Sequence, residues 1–232
     1  MVVLLRWWLI SARIRPVMGW ARLWPSLGIV GWVVAFAGLA VHGYPAMDAS
    51  PQQLASWTSS TDSTHFSIGI SIEAVGLLIF VFFVAWLCGV TRRTGGTSWL
   101  LGLALASSVA WAAVGIGVNG VWTALLDAGK HGVDSSALVA IRDVAQETYN
   151  ASNFILPLTV IAVGLANLRG TALPSWLAWA ALVIGVLMVP PPLSMPLSLV
   201  FLLWVAVVSV YFVIRPPVIS ADRSVESKSV ER

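Results

Sequence analysis

Residues 66–90 read FSIGISIEAVGLLIFVFFVAWLCGV, and this stretch decides the fold. Its only charged residue is Glu73. An apolar run of about 18 residues or more is long enough to cross the ~30 Å hydrocarbon core of a bilayer as a helix. The sequence Thr91-Arg92-Arg93 follows directly and returns the chain to water. The stretch therefore predicts a transmembrane helix that ends at a membrane surface.

Five further apolar runs flank this one, and together they predict an all-α, polytopic transmembrane bundle. The chain has 232 residues, 58% hydrophobic and 10% charged, whereas soluble domains carry about 25% charged residues. The six predicted spans cover residues 26–44, 66–90, 98–126, 135–168, 174–189 and 195–214. Residues 26–214 then form one membrane domain, residues 1–25 a cytoplasmic or interfacial N-terminal segment, and residues 215–232 a disordered cytoplasmic tail.

The positive charges alternate between the segments that connect these runs. Eleven of the 13 Lys and Arg residues lie in alternate segments, and only Lys130 and Arg142 lie in the others. Short cytoplasmic loops of membrane proteins carry such an excess of Lys and Arg. The asymmetry predicts that both ends of the chain lie in the cytoplasm, and that the protein resides in the plasma (cytoplasmic) membrane with multiple passes.

Two local patterns refine this topology. Ser50-Pro51 in the polar segment 45–65 predicts a short capped helix, with proline at its first position. Residues 135–168 contain no glycine until Gly164 and one proline, Pro157. A continuous helix over this stretch would be ~50 Å long, so we expect its first turns to stand above the outer face. Pro157 should kink this helix and free the carbonyl of Asn153.

Glu73 is the sharpest candidate for a functional residue. It lies seven positions into the predicted second span, and an ionisable group at that depth usually faces the bundle interior. It could carry a proton, bind a metal ion or pair with a cationic ligand. The alternative is a structural role, in which the carboxyl group is protonated or hydrogen-bonded and ties helices together.

A second candidate set lies on the long predicted helix. Asp143, Glu147 and Asn150 are spaced by four and three residues, which places them on one helical face. Two carboxylates one turn apart could bind a ligand, a proton or a divalent cation, although a solvated face is the ordinary alternative. With two histidines they make up a hypothetical metal site formed by His42, His65, Glu73, Asp143 and Glu147.

Several site classes find no support in the sequence. The basic residues are spread over four segments, which argues against nucleic-acid binding despite the sequence pI of about 9.5. The chain has one cysteine, Cys88, and no CxxC or HExxH pattern. No cofactor is predicted apart from the hypothetical divalent metal, and no reaction motif indicates an enzyme.

The stretch Arg169-Gly170-Thr171-Ala172-Leu173-Pro174-Ser175-Trp176-Leu177-Ala178-Trp179, followed by two apolar runs, resembles a family of small six-span membrane proteins abundant in actinobacteria. The typical pattern of that family is RxGxLPxWLGW before the last two helices, and Ala178 replaces its usual glycine here. The family is functionally uncharacterised. The resemblance therefore implies a bacterial six-span membrane protein and no catalytic residues.

Three functions remain open on these grounds. The first is a non-catalytic membrane module that binds a lipid, a small apolar ligand or a partner protein from the outer side. The second is a proton-coupled transporter of small solutes that uses Glu73. The third is an intramembrane metal-dependent enzyme with an outward-facing His/carboxylate site. The expected partners are the lipid bilayer and a membrane protein or a second copy of the chain.

Overall fold

The computed structural model describes residues 20–46, 48–152 and 154–217, and within these ranges it contains helices and no strand. The predicted all-α class is therefore confirmed for the described part of the chain. Its helices are α1 (Trp20–His42), α2 (Pro51–Ser60), α3 (Ser63–Arg93), α4 (Ser98–Lys130), α5 (Ser135–Ser152), α6 (Ile155–Arg169), α7 (Ser175–Met188) and α8 (Pro191–Ile214).

Six of these helices form a closed ring. Going round it, α1 packs on α3, α3 on α4, α4 on α6, α6 on α7, α7 on α8, and α8 returns to α1. Large side chains from several helices fill the interior, among them Phe83, Leu177, Phe201 and Val205. The remaining helices, α2 and α5, pack on each other and on α4 at one end of the ring. The protein is thus a ring of helices with a helical cap on one end.

The two ends of the ring differ in the loops that they carry. The capped end, here called the α2 end, joins the start of α3 to the end of α4, where the Lys130 ammonium donates to the Ser63 hydroxyl. At the opposite end, the Thr171 amide donates to the Thr94 carbonyl and links two short loops. We call this second end the arginine end, because its described residues include Arg92, Arg93, Arg169 and Arg215.

The closest helix pair, α1 and α3, is held together by small residues. A Cβ atom added at Gly76 of α3 would lie 2.6 Å from the Gly31 carbonyl oxygen of α1. One added at Gly69 would lie 2.7 Å from the amide nitrogen of His42. Glycine at these positions lets the two backbones touch, as small residues do in membrane helix pairs. This contact fixes the height of α1 against α3.

Polar side chains add hydrogen bonds between the other helices. The Ser107 and Thr159 hydroxyls lie 2.9 Å apart and connect α4 to α6. The Trp204 indole N–H of α8 donates to the Leu177 carbonyl of α7 at 3.0 Å. Such bonds within an apolar bundle satisfy groups that would otherwise be costly to bury.

Five helical segments are long and apolar enough to cross a membrane, judged by length and composition. They are 23–42, 63–93, 98–130, 135–169 and 196–214. The predicted fifth span corresponds to α7, which has 14 residues and is only ~21 Å long. Large apolar side chains such as Val33, Phe82 and Leu203 point outward and are mostly exposed. Soluble proteins rarely expose contiguous apolar surface, so these features support a membrane protein.

Helices α5 and α6 lie on either side of residue 153, which is outside the described ranges. Residues 135–169 together are long and apolar enough to cross a membrane, and Phe154, just before α6, has right-handed helical φ and ψ angles. The continuous helix over residues 135–168 and its kink at Pro157 therefore stay predictions.

Two other local predictions can be compared with the structure. The short helix after Ser50 is confirmed as α2, with a capping box in which Ser50 and Gln53 bond each other's backbone N–H groups. The first span begins earlier than predicted, at Trp20, and α1 continues through Pro25. Residues 1–19, most of the predicted N-terminal segment, lie outside the described ranges. So do Asn153 and most of the predicted tail, residues 218–232.

Candidate functional site

Glu73 lies where α1, α3 and α4 meet near the α2 end. It is the eleventh residue of α3, ~15 Å along the helix from Ser63. The close α1–α3 contact brings the last residue of α1, His42, beside it, because Gly69 and Gly38 leave room for the facing backbone. Glycine spacing on two helices therefore positions the side chains of the site.

His42 and Glu73 form the central pair of this site. The His42 Nε2 atom lies 2.8 Å from the Glu73 Oε2 atom. The His42 side chain is fully buried, and the Glu73 side chain keeps 19% of its surface exposed. Because a carboxylate can only accept hydrogen bonds, His42 donates this hydrogen bond through its Nε2–H group. Sequence analysis named both residues as metal ligands, whereas the structure makes them partners of each other.

Tyr44 and Asn119 extend the network away from His42. The Tyr44 hydroxyl lies 2.7 Å from Asn119 Oδ1 and 3.3 Å from Glu73 Oε2. Burial, and then the negative charge of Glu73, raise the pKa of the Tyr44 phenol well above its usual value. The phenol therefore keeps its one proton and donates it to one of these two oxygens.

Two buried nitrogen atoms of this network lack a partner among the described residues. They are His42 Nδ1 and Asn119 Nδ2. The oxygen and nitrogen of an amide are assigned from the surrounding hydrogen bonds. With the Asn119 amide turned over, Nδ2 would donate to the Tyr44 oxygen and the amide oxygen would become the buried atom without a partner. In either orientation one polar atom of Asn119 lacks a partner among the described residues.

The second oxygen of Glu73, Oε1, is open. Every hydrogen bond recorded for this carboxylate among the described residues ends on Oε2. The Oε1 atom is also absent from the buried unpartnered atoms of the described ranges, and the side chain is partly exposed. The carboxylate is thus held by one oxygen and offers the other to its surroundings.

Tyr149 of α5 borders the same site. It lies within electrostatic range of both Glu73 and Tyr44. Tyr149 is four residues after Ala145 and three residues before Ser152, so the three residues lie on one helical face. Ala145 and Ser152 are buried. Tyr149 nevertheless keeps 47% of its surface exposed. Tyr149 is thus an exposed aromatic residue in the neighbourhood of Glu73.

The other predicted acidic residues do not join Glu73. Asp143 is 58% exposed and pairs with its neighbour Arg142 at 2.7 Å. Arg142 also donates to the Ala49 carbonyl at 2.6 Å, which ties α5 to the loop before α2. Glu147 is exposed on the surface of α5. Asn150 is exposed too and accepts a hydrogen bond from the Gln146 amide.

The hypothetical metal site does not assemble. His65 is exposed at the start of α3, away from the buried His42. In the described part of the chain, no three His, Cys, Asp or Glu side chains lie together as a metal ion would require. The physical reason is that His42 and Glu73 meet between helices, while His65 is exposed at the start of α3 and Asp143 and Glu147 are exposed on α5.

Sequence reasoning missed Tyr44, Asn119 and Tyr149. Asn119 offered a signal, since it is an amide within the apolar run 98–126 and such a group must find a hydrogen-bond partner. Tyr44 and Tyr149 offered none, because a tyrosine near a helix end is ordinary in membrane proteins. Only the packing of the helices shows that Tyr44 bonds both Glu73 and Asn119 and that Tyr149 lies in electrostatic range of Glu73.

An apolar groove lies elsewhere, between α1 and α8. It has a cavity volume of about 290 Å³ and is lined by Ile29, Trp32, Val33, Phe36, Leu202, Val205 and Ala206. The groove opens on the apolar outer surface of the ring, so it could receive a hydrocarbon chain.

Comparison with known proteins adds no identification. No protein-family model matches the chain, and no curated protein or solved structure matches it either. The resemblance of residues 169–179 to an actinobacterial membrane family therefore stays a prediction.

Proposed function

We propose that the chain is a six-span protein of the plasma membrane, with both ends in the cytoplasm. Five segments have the length of a membrane span, and α7 takes the sixth place in the ring. The four arginines at the arginine end support a cytoplasmic location for that end. The α2 end then faces outward, together with the cap.

In this six-span topology, the protein acts as a non-catalytic binding module that takes a ligand from the outer side. The observation that carries the proposal is the Glu73 carboxylate, whose Oε2 atom contacts His42 while no described residue bonds its Oε1 atom, and whose side chain is 19% exposed. The Oε1 atom can therefore accept a hydrogen bond from a ligand. The groove between α1 and α8 supports a lipid contribution to binding.

The test is native mass spectrometry of the full-length protein released from the membrane in mild detergent. We expect a small molecule or lipid to remain bound to the wild type and to be lost from Glu73→Gln. Glu147→Gln is the matched control, since Glu147 is an exposed carboxylate on α5, and it should retain the ligand. A wild-type protein that carries nothing, or a Glu73→Gln variant that carries the same ligand, contradicts the proposal.

A proton-coupled transporter of small solutes is the second candidate. The observation that favours it is the direct contact of two groups that exchange protons, His42 and Glu73. In proteoliposomes loaded with a pH-sensitive dye, such a carrier would acidify the lumen when solute is added on the other side. The Glu73→Gln variant would lose this proton flux, whereas the control variant Glu147→Gln would keep it. A metal-dependent enzyme has no supporting observation and is not proposed.

A further inference from the structure

We infer that the ligand group bound at Glu73 is an organic ammonium ion, either the amine of a lipid headgroup or that of a free small molecule. This inference rests on the proposed binding function and names the chemistry of its ligand. It follows from the charge, the aromatic surroundings and the unfilled hydrogen-bonding positions of the site.

The first step concerns charge. Among the described residues, the only basic side chain within 4 Å of the Glu73 carboxylate is His42. His42 contacts Oε2 through Nε2, and its buried Nδ1 atom has no partner among the described residues. No Lys or Arg side chain of the described residues lies within 4 Å of the carboxylate. A bound cation would take such a place at Oε1.

The second step concerns the kind of cation. The described residues hold no group of three His, Cys, Asp or Glu side chains, and a divalent metal ion needs several such ligands. The half-exposed Tyr149 instead lies within electrostatic range of Glu73. An ammonium group is attracted to an aromatic face and donates hydrogen bonds to a carboxylate. An organic ammonium ion therefore uses both features of the site.

The third step concerns the unfilled positions. The Asn119 side chain is almost fully buried, and among the described residues its Nδ2 atom and the buried Nδ1 atom of His42 have no partner. Two buried polar side chains with spare hydrogen-bonding capacity next to one carboxylate are rare in a site that serves only to join helices. They indicate a network that is completed by another group.

The fourth step concerns access. The α2 end carries seven acidic and two basic residues, so its potential attracts cations. The acidic residues are Asp48, Asp62, Glu73, Asp127, Asp134, Asp143 and Glu147, and the basic ones are Lys130 and Arg142. A cation drawn to this end can reach Glu73 through the exposed part of its side chain.

The experiment uses the full-length protein and two probes. Ethanolamine is titrated into the detergent-solubilised protein by calorimetry. Separately, the protein is placed in nanodiscs of equal phosphatidylethanolamine and phosphatidylglycerol, and the retained lipid is read by native mass spectrometry. We expect saturable ethanolamine binding, preferential retention of phosphatidylethanolamine, or both. Ethanolamine binding alone indicates a free amine, and lipid retention alone indicates a headgroup.

Substitutions decide whether the amine sits at the inferred site. Glu73→Gln should weaken amine binding at least tenfold, and the exposed Glu147→Gln should leave it unchanged. Tyr149→Leu should weaken it about two- to fivefold through loss of the aromatic face, while Tyr149→Phe should bind as the wild type does. Circular dichroism reports folding. If Glu73→Gln does not fold, the Tyr149 pair decides the question.

The inference is overturned if the wild type binds neither amine, or if both Glu73→Gln and Tyr149→Leu bind like the wild type. A co-purified ligand that lacks an amine and is lost from Glu73→Gln overturns the ammonium assignment but supports the binding function. If the wild type carries no ligand that depends on Glu73, both proposals fail.

Discussion

Each polar residue of the site depends on a partner from another part of the chain. Glu73 of α3 accepts from His42 at the end of α1, and Tyr44 in the following loop bonds Asn119 of α4. The position of Glu73 within an apolar run indicated from sequence that it matters. Its partners could not be predicted in the same way, because residues separated by 31 or 75 positions meet only when the helices pack.

Tyr44→Phe tests how much this hydrogen-bond network contributes to the stability of the fold. The change removes the proton that Tyr44 shares between Asn119 and Glu73, and it leaves the buried Asn119 amide without this partner. We expect a loss of about 1–3 kcal/mol in unfolding free energy, measured as a lower thermal unfolding midpoint in detergent. The control is Tyr211→Phe, since no hydrogen bond is recorded for the Tyr211 hydroxyl within the described ranges. Equal midpoints for the two variants would contradict the network's role.

Asp62 provides a pH-dependent prediction at the start of α3. Its carboxylate accepts from the backbone N–H groups of His65 and Thr64, and these bonds lower its pKa. A lowered folded-state pKa means that Asp62 stabilises the protein above the usual aspartate pKa of ~3.9. This contribution is lost as the pH falls through the lowered value.

The check is the thermal midpoint of the wild type and of Asp62→Asn at pH 6 and pH 3. Asparagine can also cap a helix but does not titrate, and it lacks the negative charge that favours a helix N-terminus. The wild type should have a higher thermal midpoint than the variant at pH 6, and the difference between the two midpoints should shrink at pH 3. A constant difference would show that the ionised cap adds nothing.

Among the elements, the α1–α3 pair has the tightest requirement on residue size. Gly76→Ala would place a methyl group 2.6 Å from the Gly31 carbonyl oxygen and 2.7 Å from the Ala35 Cα atom. Overpacking of this kind costs about 1–3 kcal/mol, and it would also shift His42 relative to Glu73. We expect a lower thermal midpoint together with weaker ligand retention.

The matched control on the same helix is Gly89→Ala. Nothing lies within 4 Å of a Cβ atom added at Gly89, and alanine favours helix over glycine. This variant should be as stable as the wild type or slightly more stable. If Gly76→Ala behaved like Gly89→Ala, the two backbones would not be in the close contact described here.

Helices α5 and α6 show the limit of reasoning about single elements. The absence of glycine before Gly164 predicts one long helix whose first turns stand above the outer face. In the structure α5 packs on α2 and α4, while α6 packs in the ring between α4 and α7. Which neighbours each part of this stretch contacts depends on tertiary packing, and local propensity does not contain that information.

For the whole molecule, closure of the ring depends on α8 returning to α1. The two helices meet where Gly28 faces Ser209 and where the Trp32 ring lies 6.0 Å from that of Phe201. This closure places α1, and therefore His42, between α3 and α8. It also separates the arginine end from the acidic α2 end.

Single-cysteine labelling tests the proposed orientation of these ends. In a Cys88→Ala background, Ser59→Cys lies on exposed α2 and Thr171→Cys on an exposed loop at the arginine end. In intact cells, a membrane-impermeant maleimide should label Ser59→Cys and not Thr171→Cys. After cell lysis both should react. The reverse pattern in intact cells would overturn the assignment of the α2 end to the outer side.

By itself, the sequence determined the helical class, the apolar segments, the charge asymmetry, the cap at Ser50 and the place of Glu73 within an apolar helix. These depend on local composition and on the energy of moving side chains out of water, which each segment carries independently. The tertiary structure alone decided that His42 bonds Glu73, that Tyr44 bonds Asn119, and that Asp143 and Glu147 stay outside. Those outcomes depend on which helices touch and at what height, and glycines far apart in the chain set both through close backbone contact.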